Sequence, residues 1–291
     1  MPRPPSLKTT LEALYAGRSQ RHLANDPLSF CHRYPDPADR EVAALIAAVF
    51  AYGNVRVIKG SLERIAATLG PSPARFIDRF DPGAAQTAYA DFRHRFNDGR
   101  DLRALFWAIR LIREEAGTIE AFFTRRHDPA AATVEQGLNG FCAAVLDLDY
   151  RPVYGPGGLP RDGSFRFLFP APAGGSACKR LCMFLRWLVR PADGIDLGLW
   201  RTTVTPRQLV IPVDRHIERI GRLLGFTARR TPGWQMALEI TAGLRRYAPA
   251  DPVRYDFSIC HLGISEGCAG RHGTACLHCP LAAHCQACLH G

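Results

Sequence analysis

The sequence predicts an all-α protein. Apolar residues recur at helical spacing through most of the chain, and the alternating runs that mark strands are few. With 47% apolar residues in a chain of 291, there is enough to fill the core of one large domain or of two closely packed lobes.

Taken in order, "DREVAALIAAVFAYGNVRVIKGSLERIAATLG", Asp39 to Gly70, reads as an apolar helix, a short Gly-Asn break and an amphipathic helix with Val57, Leu62 and Ile65 on its buried side. "LRALFWAIRLIREEAG" and "AAATVEQGLNGFCAAVLDL" continue the pattern, so residues 1–150 form an N-terminal helical region. Residues 151–175 are rich in proline and glycine, cannot make one regular element and serve as a connection. Residues 176–262 return to helical spacing in "SACKRLCMFLRWLVR", "PVDRHIERIGRLLG", "GWQMALEITAGLRRYAP" and "DPVRYDFSICHLGI", and residues 263–291 are rich in cysteine.

No run approaches the apolar length of a membrane helix, and the start "MPRPPSLKTTLEALYAGRSQ" has no apolar core behind its basic residues. The expectation is a soluble, monomeric protein of the cytoplasm with no membrane partner. The formal net charge of +10 favours a polyanion as partner. Of the 37 basic side chains only Lys8, Lys59 and Lys179 are lysines. Arginine cannot replace an amine that must lose its proton, so each lysine is a candidate for chemistry.

Ten cysteines in a chain without a secretory start suggest metal rather than disulfides, and six of them fall from Cys260 onward. Cys268, Cys276, Cys279 and Cys285 give C-x7-C-x2-C-x5-C, with Cys288 three positions further on. Four thiolates on such a loop suit a tetrahedral zinc or an iron–sulfur cluster, and spacing alone leaves both open. Cys260, Cys178 and Cys182 read as core, the last two on one helix face at i,i+4.

"LVIPVDRHIERIGRLLG" resembles the segment of the helix-hairpin-helix DNA glycosylases, the endonuclease III superfamily, in which a V-D-x-H-[IV]-x-R string carries the catalytic aspartate at a helix start. Downstream, "DFSICHLGISEGC" and the x2 and x5 gaps are similar to that family's [4Fe–4S] loop, whose first gap is one residue shorter. The resemblance implies a two-lobed helical glycosylase fold with a C-terminal iron–sulfur loop held by Cys268, Cys276, Cys279 and Cys285, with Cys288 in reserve. It also implies a substrate of double-stranded DNA carrying a damaged base, cut in the nucleoid. By the same resemblance Asp214 is the catalytic carboxylate and Lys179 the nucleophile of a glycosylase with lyase activity.

The family's hairpin motif is replaced by "FPAPAGGSACKRLCMFL", and the lysine-to-aspartate segment is longer than in common members. In both respects the chain is similar to the archaeal 8-oxoguanine glycosylases, which makes an oxidised purine the first substrate to expect. Tyr52 stands where the family keeps an intercalating glutamine. The chain is identified as a member of a divergent branch usually described as of unknown function. Two other classes remain open: a catalytically silent iron–sulfur DNA-binding protein of the same fold, and a base-removing enzyme acting on RNA or nucleosides.

Each candidate also has a structural reading. An aspartate after a proline caps a helix, and a cap is compatible with catalysis because the amides fix its orientation. Lys179 is either a surface or phosphate-contacting lysine or an amine made nucleophilic by Arg180 and Arg186. His216 bonds within its own turn. Trp187, Trp200 and Trp234 read as core, and Arg125–Arg126, Arg229–Arg230 and Arg245–Arg246 as solvated or phosphate-facing.

Overall fold

Aspartate followed by proline opens two helical segments, because the carboxylate accepts the first free amides while the proline ring presets the backbone. Asp26 accepts from Leu28 N at 2.8 Å and starts a 3-10 turn at Pro27–Arg33. Asp36 accepts from Ala38 N at 2.8 Å and starts α2, Pro37–Val49, which follows α1, Leu7–Ala16. The computed structural model describes residues 5–17, 20–265 and 268–289; residues 1–4, 18 and 19 of the stretch read for a leader, and 266 and 267 before the cysteine loop, lie outside them.

After α2 come α3, Val55–Leu69, and α4, Pro73–Asp78. A hairpin of β1, Arg93–His94, and β2, Asn97–Asp98, leads into α5, Gly99–Ala116. Then follow α6, Ile119–Thr124; α7, Glu135–Leu146; and α8, Arg151–Tyr154. The proline- and glycine-rich connection holds α8 and two 3-10 turns before α9, Lys179–Val189. The chain continues through α10, Arg215–Leu223; α11, Trp234–Arg245; α12, Asp256–Ser265; and α13, Gln286–Leu289. The described residues are mostly helical, as the periodicity predicts, and none of their helices is long and apolar enough to cross a membrane.

α2 is the centre of the core: every residue from Val42 to Phe50 is fully buried, and the helix packs on α4 and α9. Its two carboxylates are used as remote caps. Asp39 accepts from Ala74 N at the start of α4, at 2.8 Å. Glu41 accepts from Ile119 N and Glu120 N at the start of α6 and from Trp200 Nε1 at 2.8 Å. Buried acceptors cost free energy unless bonded, so these carboxylates fix where the surrounding helices begin.

One predicted helix face is out of phase. In α3 the buried stripe is Ile58, Leu62, Ile65 and Leu69, while Val57 is 46% exposed. A stripe at i, i+4, i+7 and i+11 leaves the residue before it about 100° round the helix. α1 packs against α12, with Glu12 accepting from the Tyr255 hydroxyl and pairing with Arg254 at 3.3 Å.

Candidate active site

α10 begins at Asp214, whose Oδ1 accepts from His216 N and Ile217 N, both at 2.8 Å. The cap predicted from sequence is therefore present. Its other oxygen, Oδ2, accepts from the Cys260 thiol at 3.2 Å. His216 bonds within its turn, as expected, with Nδ1 3.0 Å from Arg219 Nη2. α10 lies close against α12, and a Cβ at Gly263 would stand 2.7 Å from His216 Nδ1. Glycine at that point lets the two helices approach.

Lys179 is the first residue of α9. Cys178 before it has φ 48°, ψ 31°, a left-handed conformation that L-residues rarely adopt, and its amide donates to Ser176 Oγ at 3.1 Å. Cys178 thus precedes the helix rather than sharing a face of it with Cys182, though both are buried as expected. The turn brings Lys179 to the wall of a cavity of about 280 Å³ that Asp214 also lines. This is just below the usual range for small-molecule sites, about 300 Å³ upward.

Arg186, Asp256, Asp26 and His261 share that cavity, with Met183, Trp187 and Phe257 as apolar wall. Arg186 bonds Asp196 Oδ1 at 3.1 Å and Asp256, and Arg190 bonds Asp196 and Asp251 Oδ2, the last at 2.9 Å. Burial pushes the Asp256 carboxyl up to about 6, against the pull of Arg186. Asp26 goes the other way. Although burial opposes it, His261, Arg186 and the Leu28 amide hold its carboxyl below the usual range. Sequence reading missed Asp26, Asp256, Cys260 and His261 as cavity residues. The spacing of Asp256, Cys260 and His261, at i, i+4 and i+5 of α12, was the available signal.

Of the two arginines expected beside Lys179, only Arg186 lines the cavity. Arg180 is buried on the other side, donating to Val49 O at 2.8 Å and to Phe167 O. Its guanidinium lies 4.2 Å over Phe167 and 5.0 Å from the Tyr52 ring, and burial lowers its pKa to about 10. Phe167 and Phe96 are 43% and 51% exposed and meet edge to face at 4.6 Å, with Tyr52 5.0 Å from Phe167. Ala51, Gly53 and Val55, which flank Tyr52 in sequence, line the cavity, whereas Tyr52, Phe96 and Phe167 do not.

Trp187, Trp200 and Trp234 are buried, as expected, and Trp187 also forms cavity wall. The paired arginines are partly engaged within the chain: Arg126 with Phe122 O and Glu115, Arg229 with Glu239, and Arg245 with Arg207 O. Lys59 donates to Ala24 O at 2.9 Å, and Lys8 is exposed on α1.

The cysteine loop encloses a second concavity, of about 230 Å³, lined by Cys268, Cys276, Cys279, Cys285 and Cys288 with apolar wall from Ile220, Leu224 and Leu262. None of the five is in a disulfide. Among the described residues no three Cys, His, Asp or Glu side chains converge as a single-ion group. Five thiols line one apolar-backed void, and thiolates are the donor type that both an iron–sulfur cluster and a structural zinc take.

No curated protein and no solved structure matches the chain. One family model matches residues 26–265, a span that contains every residue named at the Asp214 cavity and stops short of Cys268. The chain belongs to the family that model describes, "Protein of unknown function (DUF2400)".

Proposed function

We propose that this protein is a DNA base-excision glycosylase with lyase activity, built on a two-lobed helix-hairpin-helix glycosylase-like fold. The observation that carries the reading is that Asp214 and Lys179, remote in sequence, line one cavity. The exposed rings of Phe96 and Phe167 and the net charge of +10 suit a nucleic-acid substrate, since arginines hold phosphates and aromatic rings stack on bases.

A base must leave the helical stack to enter such a cavity. With the base inside, the Lys179 amine attacks C1′ of the sugar while the bond from C1′ to the base breaks and its electron pair leaves with the base. Asp214 Oδ2 offsets the positive charge that builds on the sugar and takes the proton released by the attacking amine. Asp214 returns that proton to O4′ as the O4′–C1′ bond breaks and the nitrogen lone pair forms the C=N bond of a Schiff base on Lys179; loss of a C2′ proton then expels the 3′ phosphate and cuts the strand. Cys268, Cys276, Cys279 and Cys285 would hold the [4Fe–4S] cluster, with Cys288 in reserve; bound there, the cluster fixes the loop and supplies no step of the chemistry. An oxidised purine such as 8-oxoguanine is the first substrate to try, and work on DNA places the protein at the nucleoid.

The test is a panel of duplexes, each with one lesion, incubated with the protein and borohydride. Base release with a reduced protein–DNA adduct supports the reading. Tight, salt-sensitive binding without release from any duplex would instead favour a silent DNA-binding protein, and better competition by RNA an RNA-directed one.

A further inference from the structure

α12 turns one face to the cavity, with Asp256, Phe257, Cys260 and His261 among its lining. Asp256 is bonded to Arg186, and His261 lies 3.9 Å from Asp26. Cys260 is left to Asp214, its Sγ 3.2 Å from Oδ2. Both capping amides bond the opposite oxygen, Oδ1, so they fix where the carboxylate sits but leave its terminal torsion, which is intrinsically broad, to other contacts. Among the described residues the Cys260 thiol is the one hydrogen-bond donor on Oδ2.

Resting on the glycosylase reading, we infer that Cys260 is the positioning residue for Asp214: its S–H holds the carboxylate plane so that the free lone pair of Oδ2 points into the cavity. A thiol suits this role because it is a weak donor. It orients the carboxylate while drawing off little of the negative charge that must face a cationic sugar, whereas a hydroxyl would draw off more. The thiol is also kept in the donating form. Burial raises its pKa far above the ordinary value, and Asp214, Asp256 and Asp26 add to the shift. Cys260 is thus neither a nucleophile nor a thiolate ligand here, although it sits only eight positions before Cys268.

Two measurements test this on the full-length protein. The first needs no substrate. The S–H stretch absorbs in a spectral window free of other protein bands, and subtracting the spectrum of Cys260→Ala isolates the one thiol. The band is expected at lowered frequency, as for a bonded S–H, and should return to the free-thiol position in Asp214→Asn, whose side-chain oxygen caps the helix and whose NH2 group cannot accept. The second is single-turnover base release beside affinity for the same duplex. Cys260→Ala should slow release by about tenfold, the lower end of what misplacing a reacting group costs, with affinity unchanged. Cys260→Ser should recover most of that loss. A cysteine that only fills space would weaken affinity and melting temperature together and leave the ratio of release to binding unmoved.

A band at the free-thiol position in the wild type, or one indifferent to Asp214→Asn, overturns the inference, as does release by Cys260→Ala at the wild-type rate. If the wild type releases no base from any duplex, the glycosylase reading is what fails, and the infrared band still decides whether Cys260 holds Oδ2.

Discussion

Asp214 Oδ1 lies 2.8 Å from Ile217 N, the bond that closes the first turn of α10. A cap and a catalyst respond differently when this carboxylate becomes an amide, because Asn caps about as well as Asp but cannot take a proton or offset a cation. Asp214→Asn should therefore melt within a few degrees of the wild type while base release falls at least about a hundredfold. Asp214→Ala should lose the same activity and in addition about 1 kcal/mol of stability, the usual cost of a lost cap. Normal release by the folded fraction of Asp214→Asn would reduce the aspartate to a structural role.

Lys179 carries its own signature. A Schiff base on its amine is reduced by borohydride to a stable adduct, which Lys179→Gln and Lys179→Arg cannot form. Both variants should fold, since the side chain is half-buried at the first position of α9. An adduct that persists in Lys179→Gln would point to Lys8, Lys59 or the N-terminal amine instead.

Anaerobically purified protein should be brown, with iron and acid-labile sulfide near four each per chain, as a cubane on four thiolates requires. Cys285→Ser should lose more of both than Cys288→Ser. Stoichiometric zinc without sulfide would reassign the loop.

The aromatic ridge of Phe96 and Phe167 and the basic charge should separate in a salt titration. Phe96→Ala and Phe167→Ala should each weaken binding to duplexes with an unpaired base by about 1–3 kcal/mol, the scale of one base stack, without changing the slope of affinity against salt. Replacing a phosphate-facing arginine should flatten that slope instead. An unaltered affinity in both phenylalanine variants would remove the ridge from the interface.

His94 makes stability depend on pH. Its Nε2 bonds the Tyr52 carbonyl at 3.0 Å, so Nε2 carries the hydrogen and Nδ1 accepts from Ser61 Oγ at 2.8 Å. Burial lowers its pKa below the ordinary 6.5. A depressed folded value means that the neutral ring's contribution is complete above that ordinary value and is lost as pH falls through the folded one. Melting temperature should drop on acidification from pH 7 towards 5 by more in the wild type than in His94→Gln. Parallel pH curves for the two proteins would contradict this.

The sequence carried the helices and both predicted cavity residues because each leaves a local mark. Asp214 stands between a proline and an amphipathic stripe, and Lys179 opens an apolar run. Lys179 and Asp214 were also paired by the family resemblance, and the cavity brings them together. Asp256, Cys260 and His261 left only their spacing on α12, and Asp26 only a helix cap, because the partners that draw them to the cavity lie on other elements: a thiol inside an apolar helix looks like core until a carboxylate is found 3.2 Å away. Val57 was misread because a short β-branched run offers two helix faces, and only packing chooses between them. Phe96 and Phe167 lie on a hairpin and on the proline- and glycine-rich connection, where periodicity carries no information about exposure.

α10 and α12 each reach both cavities. Asp214 heads α10 at one end, and Ile220 and Leu223 of the same helix wall the cysteine concavity at the other; α12 gives Cys260 to the first and Leu262 to the second. The pair behaves as two beams set in a common frame, braced where Gly263 lets His216 through. A substitution that loosens α10 or α12 at the cysteine concavity should therefore shift the mounting of Asp214 as well, although the two cavities share no lining residue.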